Sequence, residues 1–121
     1  MTPVIYKSCI KERTIDFAVE IVKFVNFLKL QKIDYSLRDQ LLRSGTSIGA
    51  NVTEGKSSSS KKEYIRYYEI ALRSGNETDY WIEVINRVYH FEEHTKELVE
   101  ELSQIRKIIG SIVVKLKPIE S

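Results

Sequence analysis

Large apolar residues at Leu37, Leu41, Ile48 and Val52 follow one another at spacings of four, seven and four. That periodicity places them on one stripe of an α-helix. Around the stripe the side chains are small: Ser44, Gly45, Thr46, Ser47, Gly49 and Ala50. A glycine inside a helix costs about 1 kcal/mol against alanine, so two of them predict close helix neighbours on more than one side. Neither the P-loop nor the dinucleotide-binding spacing is present, which argues against a phosphate cradle. This central helix is expected over 36–55. Upstream, Phe17, Ala18, Ile21, Val25 and Leu28 form a stripe on a helix over 8–32, and Phe24 and Phe27 widen it beyond the ~100° that a surface helix needs. The excess predicts contact with another subunit. Downstream, Tyr64, Ile65, Tyr68, Ala71, Leu72, Gly75, Thr78, Trp81, Ile82, Ile85, Val88 and Tyr89 predict a long helix over 60–89, continuous through Gly75. Leu98, Leu102, Ile105, Ile109, Ile112 and Leu116 alternate spacings of four and three, the seam of a bundle helix over 95–117.

The segments between these stripes carry helix punctuation. Ser8 is placed to cap the first helix, and Ser36, with Asp39 three residues on, the second. Gly55 is expected to close the central helix in the left-handed conformation. Ser60 and Glu63 have capping-box spacing. His90 to Thr95 read as the connection to the last helix, whose end carries Lys115 and Lys117 before Pro118. No strand pattern appears. Glu69 and Glu77 each stand four residues from Arg73, which favours bonds along that helix.

With 121 residues the chain is expected to be a single domain over 1–121. Its 42% hydrophobic and 30% charged residues are a globular composition. The start of the sequence lacks a signal-peptide profile, and no apolar run reaches the ~18–20 residues that span a bilayer, so a cytoplasmic location is expected. The lone cysteine, Cys9, cannot form an intrachain disulfide and reads as a small apolar residue. Net charge is +2, but residues 76–104 carry eight acidic and two basic side chains between basic flanks, which predicts opposite signs on different ends or faces. His90 and His94, beside Glu93 and Glu97, lack the glutamate placement of a zinc protease. No Glu-x-x-His pair suggests a di-iron site, and two histidines in one short segment do not make a catalytic triad. No catalytic residue, metal or cofactor is expected.

The block LLRSGTSIGANVTEG, followed by SKKEYIRYYEIALRSGNETDYWIEVI, closely resembles the bacterial four-helix-bundle family of proteins encoded in 23S rRNA intervening sequences. The resemblance continues upstream through TIDFAVEIVKFVNFL and more loosely into the last helix, covering nearly the whole chain. It implies an up-and-down bundle assembling as a ring, typically of five subunits, with no enzymatic activity attached. A related branch, the accessory variability protein of diversity-generating retroelements, is similar in fold and is thought to handle nucleic acid beside a reverse transcriptase. The expected architecture is therefore an all-α, antiparallel four-helix bundle that forms a homo-oligomer, a pentamer on the resemblance.

Arg43, Asn51, Glu54, Arg73, Glu77 and Trp81 match family positions. A buried charge needs a partner, so Arg43 or Arg73 is expected to pair with Glu54 or Glu77 between helices, in a polar network that fixes register or subunit contacts. Trp81 and Tyr64, Tyr67, Tyr68 and Tyr80 read as core and interface anchors. A nucleic-acid surface is the sharper functional expectation. Lys56, Lys61, Lys62 and Arg66 flank a serine-rich loop that leads into a helix N-terminus, where free amides suit phosphate, and Arg38 and Arg43 supply further charge. A pI near 8.6 is modest for such a role. A ring would repeat the patch and add weak contacts as avidity. The expected function is a non-enzymatic bundle that binds structured RNA or DNA; the alternative is a protein-interaction or assembly scaffold with no nucleic-acid role.

Overall fold

A computed structural model describes residues 9–117. Those residues form four helices and no strand: α1 (Ile10–Leu30), α2 (Tyr35–Lys56), α3 (Lys61–Tyr89) and α4 (Glu92–Leu116). α1 and α3 each pack closely against both α2 and α4, while the diagonal pairs stand farther apart. The core therefore lies on the common axis, where Phe17, Ile21, Leu28, Leu41, Ile48, Val52, Tyr68, Ile82, Ile85, Leu102, Ile105 and Ile109 are fully buried. Each aliphatic or aromatic side chain removed from water in this way contributes about 1.5–3 kcal/mol before entropy is counted.

α2 is the close-packed element that its small residues predict. A β-carbon on Gly45 would lie 2.8 Å from Ile21 of α1, and one on Gly49 would lie 3.1 Å from the backbone oxygen of Thr14. On its other flank Ser74 of α3 donates a 3.0 Å hydrogen bond to Ser47. Gly55 faces α3 too, where a β-carbon would stand 2.9 Å from the Tyr68 ring. Gly55 thus does not close the helix in the left-handed conformation. It stays helical and buried, α2 runs one residue further to Lys56, and no glycine among the described residues has positive φ. The positive-φ residues are Lys32 and His90.

Other boundaries moved for local reasons. Asp34 rather than Ser36 caps α2, its carboxylate accepting from the Ser36 N–H at 3.3 Å. A carboxylate is the stronger acceptor at a helix start, where the macrodipole favours negative charge. The Ser60 hydroxyl accepts from the Glu63 N–H at 3.1 Å, as the capping-box spacing predicts. α3 is unbroken through Gly75, where a β-carbon would lie 3.1 Å from the aliphatic part of Arg106. α4 starts at Glu92, so the expected loop over 90–95 shrinks to His90 and Phe91. Along α4, Leu98, Leu102, Ile105 and Ile109 are buried as predicted, but Val113 then replaces Ile112, which is only partly buried. A straight helix has 3.6 residues per turn, so a strict 3.5-residue pattern drifts off the core within two heptads. The Ser8 cap lies outside the described residues.

The wide stripe of α1 has an internal explanation. Phe24 is buried and Phe27 packs against Phe91 and His94 of the same chain. The apolar surface that α1 leaves to solvent is instead Ile15, Val19 and Val22, at 39%, 47% and 41% exposure.

The glycines give a sharp test of this packing. Gly49→Ala is expected to lose about 1–3 kcal/mol, because the Thr14 carbonyl cannot move aside and the methyl overpacks the α1–α2 contact. Gly110→Ala in α4 meets nothing within 4 Å and is expected to gain about 0.5–1 kcal/mol from helix propensity. Denaturant midpoints of the two variants should move in opposite directions. A stabilised Gly49→Ala would show that α1 is not held against α2 as described.

Candidate nucleic-acid interface

The α2–α3 corner collects four of the six basic positions that the sequence singles out, Lys56, Lys61, Lys62 and Arg66. Lys56 is the last residue of α2 and Lys61 the first of α3, with the four residues Ser57–Ser60 between them. The corner is folded rather than loose, because Gly55 sits under Tyr68 and the Ser57 and Ser58 N–H groups bond back to Glu54 and Gly55. Lys56, Lys61, Lys62 and Arg66 are all exposed. Ser60 already satisfies the Glu63 amide, which leaves the N–H groups of Lys61 and Lys62 pointing out of the first turn. α4 ends at the same corner: Leu116 joins Ser58, Ser59, Ser60, Lys61 and Tyr64 around one cleft, and Lys117 bonds Glu69 at 2.6 Å. Lys115 and Lys117 thereby join the patch, although their place in the sequence suggested only helix-end charges. Glu69 is the acidic neighbour in contact with the patch, and Glu12, Glu54 and Glu63 lie towards the same end.

Arg38 does not belong to the patch. It lies 18 residues before Lys56 on the same helix, which is about 27 Å at the helical rise. Its guanidinium donates to the Ile33 carbonyl at 2.9 Å and sits 5.5 Å from the Tyr35 ring centre, tied into the α1–α2 turn.

The charged family positions sit on the outer rim of the α2–α3 seam. Arg43, Glu54, Arg73 and Glu77 are exposed, and among the described residues no ion pair joins any of them. Glu69 bonds Lys117 instead of Arg73. The bonds inside the seam belong to smaller groups. Asn51 donates to the Ser47 carbonyl at 2.8 Å and to its hydroxyl at 3.0 Å, and that hydroxyl also receives Ser74. Where two backbones approach this closely only hydroxyls and a short amide fit, so long charged side chains are displaced outward. Trp81 donates to Glu77 at 3.4 Å, Tyr68 is wholly buried, Tyr64 stacks on it at 4.4 Å, and Tyr80 is exposed. Tyr68 keeps a hydroxyl with no hydrogen-bond partner, and burial, with Tyr64 beside it, pushes its phenol well above the ordinary range. Among the described residues, the ion pairs that cross between helices all involve α4 or its C-cap residue Lys117: Arg13–Glu101 at 2.6 Å, Arg106–Asp79 at 3.5 Å and Lys117–Glu69. The first is a two-pronged fork, and the bond to Glu101 raises the Arg13 pKa.

The pattern of the 23S rRNA-intervening sequence protein family matches residues 7–111. The chain belongs to that family. It is also similar to a crystal structure at 1.70 Å of a protein of unknown function from the S23 ribosomal protein family of Bacteroides thetaiotaomicron VPI-5482, with a TM-score of 0.83 and 35% identity over 87% of this chain and 98% of that one. No curated protein matches the chain. Membership of the 23S rRNA-intervening sequence family accounts for the four-helix, all-α fold.

The two histidines serve different local structures. His90 ends α3 in the left-handed conformation with its Nδ1 3.7 Å from Glu92, whereas His94 stacks on Phe27 at 4.3 Å. Among the described residues no group of three or more His, Cys, Asp or Glu side chains is placed to hold a metal ion, and no helix is long and apolar enough to cross a membrane.

The division between seam and rim is testable. Ser47→Ala removes the acceptor of both Ser74 and Asn51 and is expected to cost about 1 kcal/mol. Arg43→Ala and Arg73→Ala are expected to change fold stability by less than about 0.5 kcal/mol, as exposed side chains do. Equilibrium denaturation of the three variants would reverse this account if either arginine proved the costlier loss.

Proposed function

We propose that this member of the 23S rRNA-intervening sequence family is a non-enzymatic, cytoplasmic, ring-forming protein that binds structured RNA or DNA through its α2–α3 end. The proposed protomer is an antiparallel up-and-down bundle, and five copies make the ring. Paired contacts support the antiparallel arrangement, because numbers rise on one helix as they fall on the next: Gly45–Ile21 with Gly49–Thr14, Ser47–Ser74 with Gly55–Tyr68, and Arg106–Asp79 with Lys117–Glu69. The observation that carries the binding reading is the convergence of Lys56, Lys61, Lys62 and Arg66 with Lys115 on one end of the bundle, around a serine loop and an open helix N-terminus. Phosphate groups suit such an end, because lysine and arginine supply charge while free amides supply oriented donors. Repetition of that end around a ring would turn weak single contacts into avidity.

A second reading, an assembly scaffold with no nucleic-acid role, draws support from Arg43, Glu54, Arg73 and Glu77, which have no ion-pair partner within the described residues, and from the exposed Ile15, Val19 and Val22. Salt separates the two, since phosphate binding releases counterions and an apolar interface does not.

Fluorescence anisotropy with a structured rRNA fragment and a duplex DNA is the direct measurement. Binding should weaken steeply between about 50 and 200 mM salt. The quadruple change of Lys56, Lys61, Lys62 and Arg66 to Glu should abolish it, whereas Arg38→Gln, at the far end, should leave it within about twofold. Equal loss in both variants, or no binding at low salt, would defeat the reading. Light scattering on the same protein should give about 70 kDa, five times the 14.1 kDa chain mass. A monomeric or dimeric mass would remove the ring.

A further inference from the structure

α1 and α4 meet along the least intimate of the four seams. The cause is side-chain size: where α2 offers α1 glycines, this seam holds Phe17, Phe24 and Phe27 from α1 and Leu98 from α4. The helices stand apart, and a groove of about 390 Å³ opens along them. Its floor is apolar and aromatic. Its rims are acidic, with Asp16 and Glu20 on α1 and Glu97 and Glu101 on α4. The Arg13–Glu101 fork marks one end, and the other is marked by His94 stacked on Phe27 at 4.3 Å, with Phe91 edge-on at 5.2 Å. Lys23 is the cation on the rim, and it is engaged by Glu20 at 3.2 Å. Asp16 and Glu97 have no ion-pair partner among the described residues.

We propose that this groove docks a basic amphipathic helix of a protein partner. Asp16 to Phe27 spans about 17 Å, three turns of a helix. An apolar row at helical spacing would lie on the phenylalanine floor, and lysine or arginine on its two flanks would meet Asp16 and Glu20 on one rim and Glu97 on the other. The charge on both rims selects the occupant: it repels phosphate, which excludes nucleic acid here, and it repels an acidic helix equally. A second copy of this chain is the poorer fit, because its exposed apolar row, Ile15, Val19 and Val22, is flanked by Asp16 and Glu20, which the acidic rims repel. The groove is independent of the α2–α3 end, so the inference does not rest on nucleic-acid binding.

The test uses the full chain and a synthetic peptide of leucine and lysine, two repeats of LKKLLKL, with its leucine–glutamate counterpart as control. At about 150 mM salt, where loose surface attraction is screened, the lysine peptide should bind and the glutamate peptide should not. Amide shifts in the labelled protein should cluster at residues 16–27 and 94–101. The surface double variant Asp16→Lys with Glu97→Lys, with helix content checked by circular dichroism, should weaken binding at least about tenfold. Absence of binding, shifts centred elsewhere, or undiminished affinity in the double variant would overturn the proposal. A change of assembled mass in that variant would overturn it as well, since a second copy would then be the occupant.

Discussion

A side chain at Gly49 would crowd α1, because a β-carbon there would lie 3.1 Å from the Thr14 backbone oxygen. The same helix presents Gly45 to Ile21, and on its other flank Ser47 to Ser74. α2 is thus held between two neighbours at distances only glycine and serine permit. Two helical glycines cost about 2 kcal/mol in propensity, which dispersion across a tight interface must offset. Register follows from the same contacts, since sliding α2 by one turn would drive Leu41 or Leu42 into the space that Gly45 leaves for Ile21.

Tightness on that side determines what the rest of the molecule does. Space inside the α2–α3 seam admits only hydroxyls and the short Asn51 amide, so Arg43, Arg73, Glu54 and Glu77 are displaced to the rim, where water screens them. α4 contributes no small-residue stripe. It holds to its neighbours through a Leu and Ile seam and through three ion pairs at its flanks, of which the Arg13–Glu101 fork has the better geometry. The bundle is in consequence unequal-sided, closed where α2 lies and open where α1 meets α4.

Much of this was legible in the sequence, because helix periodicity and small-residue runs are local signals. The four helices, the packing role of α2, the Ser60–Glu63 cap and the continuity of α3 through Gly75 all follow from spacing alone. What escaped was non-local. Arg13 and Glu101 are 88 positions apart and Arg106 and Asn76 are 30 apart, separations at which no periodicity speaks. Gly55 suggests backbone freedom in the sequence, but its use is to make room for Tyr68, a distinction that depends on where α3 crosses. Arg38 was grouped with Lys56 by charge, although both lie on one helix and the rise between them alone separates them by about 27 Å. The half-buried Ser47–Ser74 contact is hidden for a different reason: serines in a helix ordinarily read as neutral, and only a neighbouring backbone at close range makes their hydroxyls structural.

A net charge of +2 conceals the electrostatic character of the surface. Lysines from the ends of α2 and α4 and from the start of α3 converge on one end of the bundle, while carboxylates from α1 and α4 line the open seam along its side. Charges separated by more than a Debye length, about 8 Å at physiological salt, act independently. The distance from Lys56 to the middle of the α1–α4 seam exceeds that, because Lys56 lies about 10 Å beyond Gly49, which faces Thr14, and Ile21 lies about 10 Å further along α1. The two surfaces therefore do not compete. A polyanion at the basic end would neither block the seam nor be repelled by its carboxylates, and a cationic helix in the seam would leave the lysines free. A bundle built with one tight side and one open side has room for both on a chain of this length.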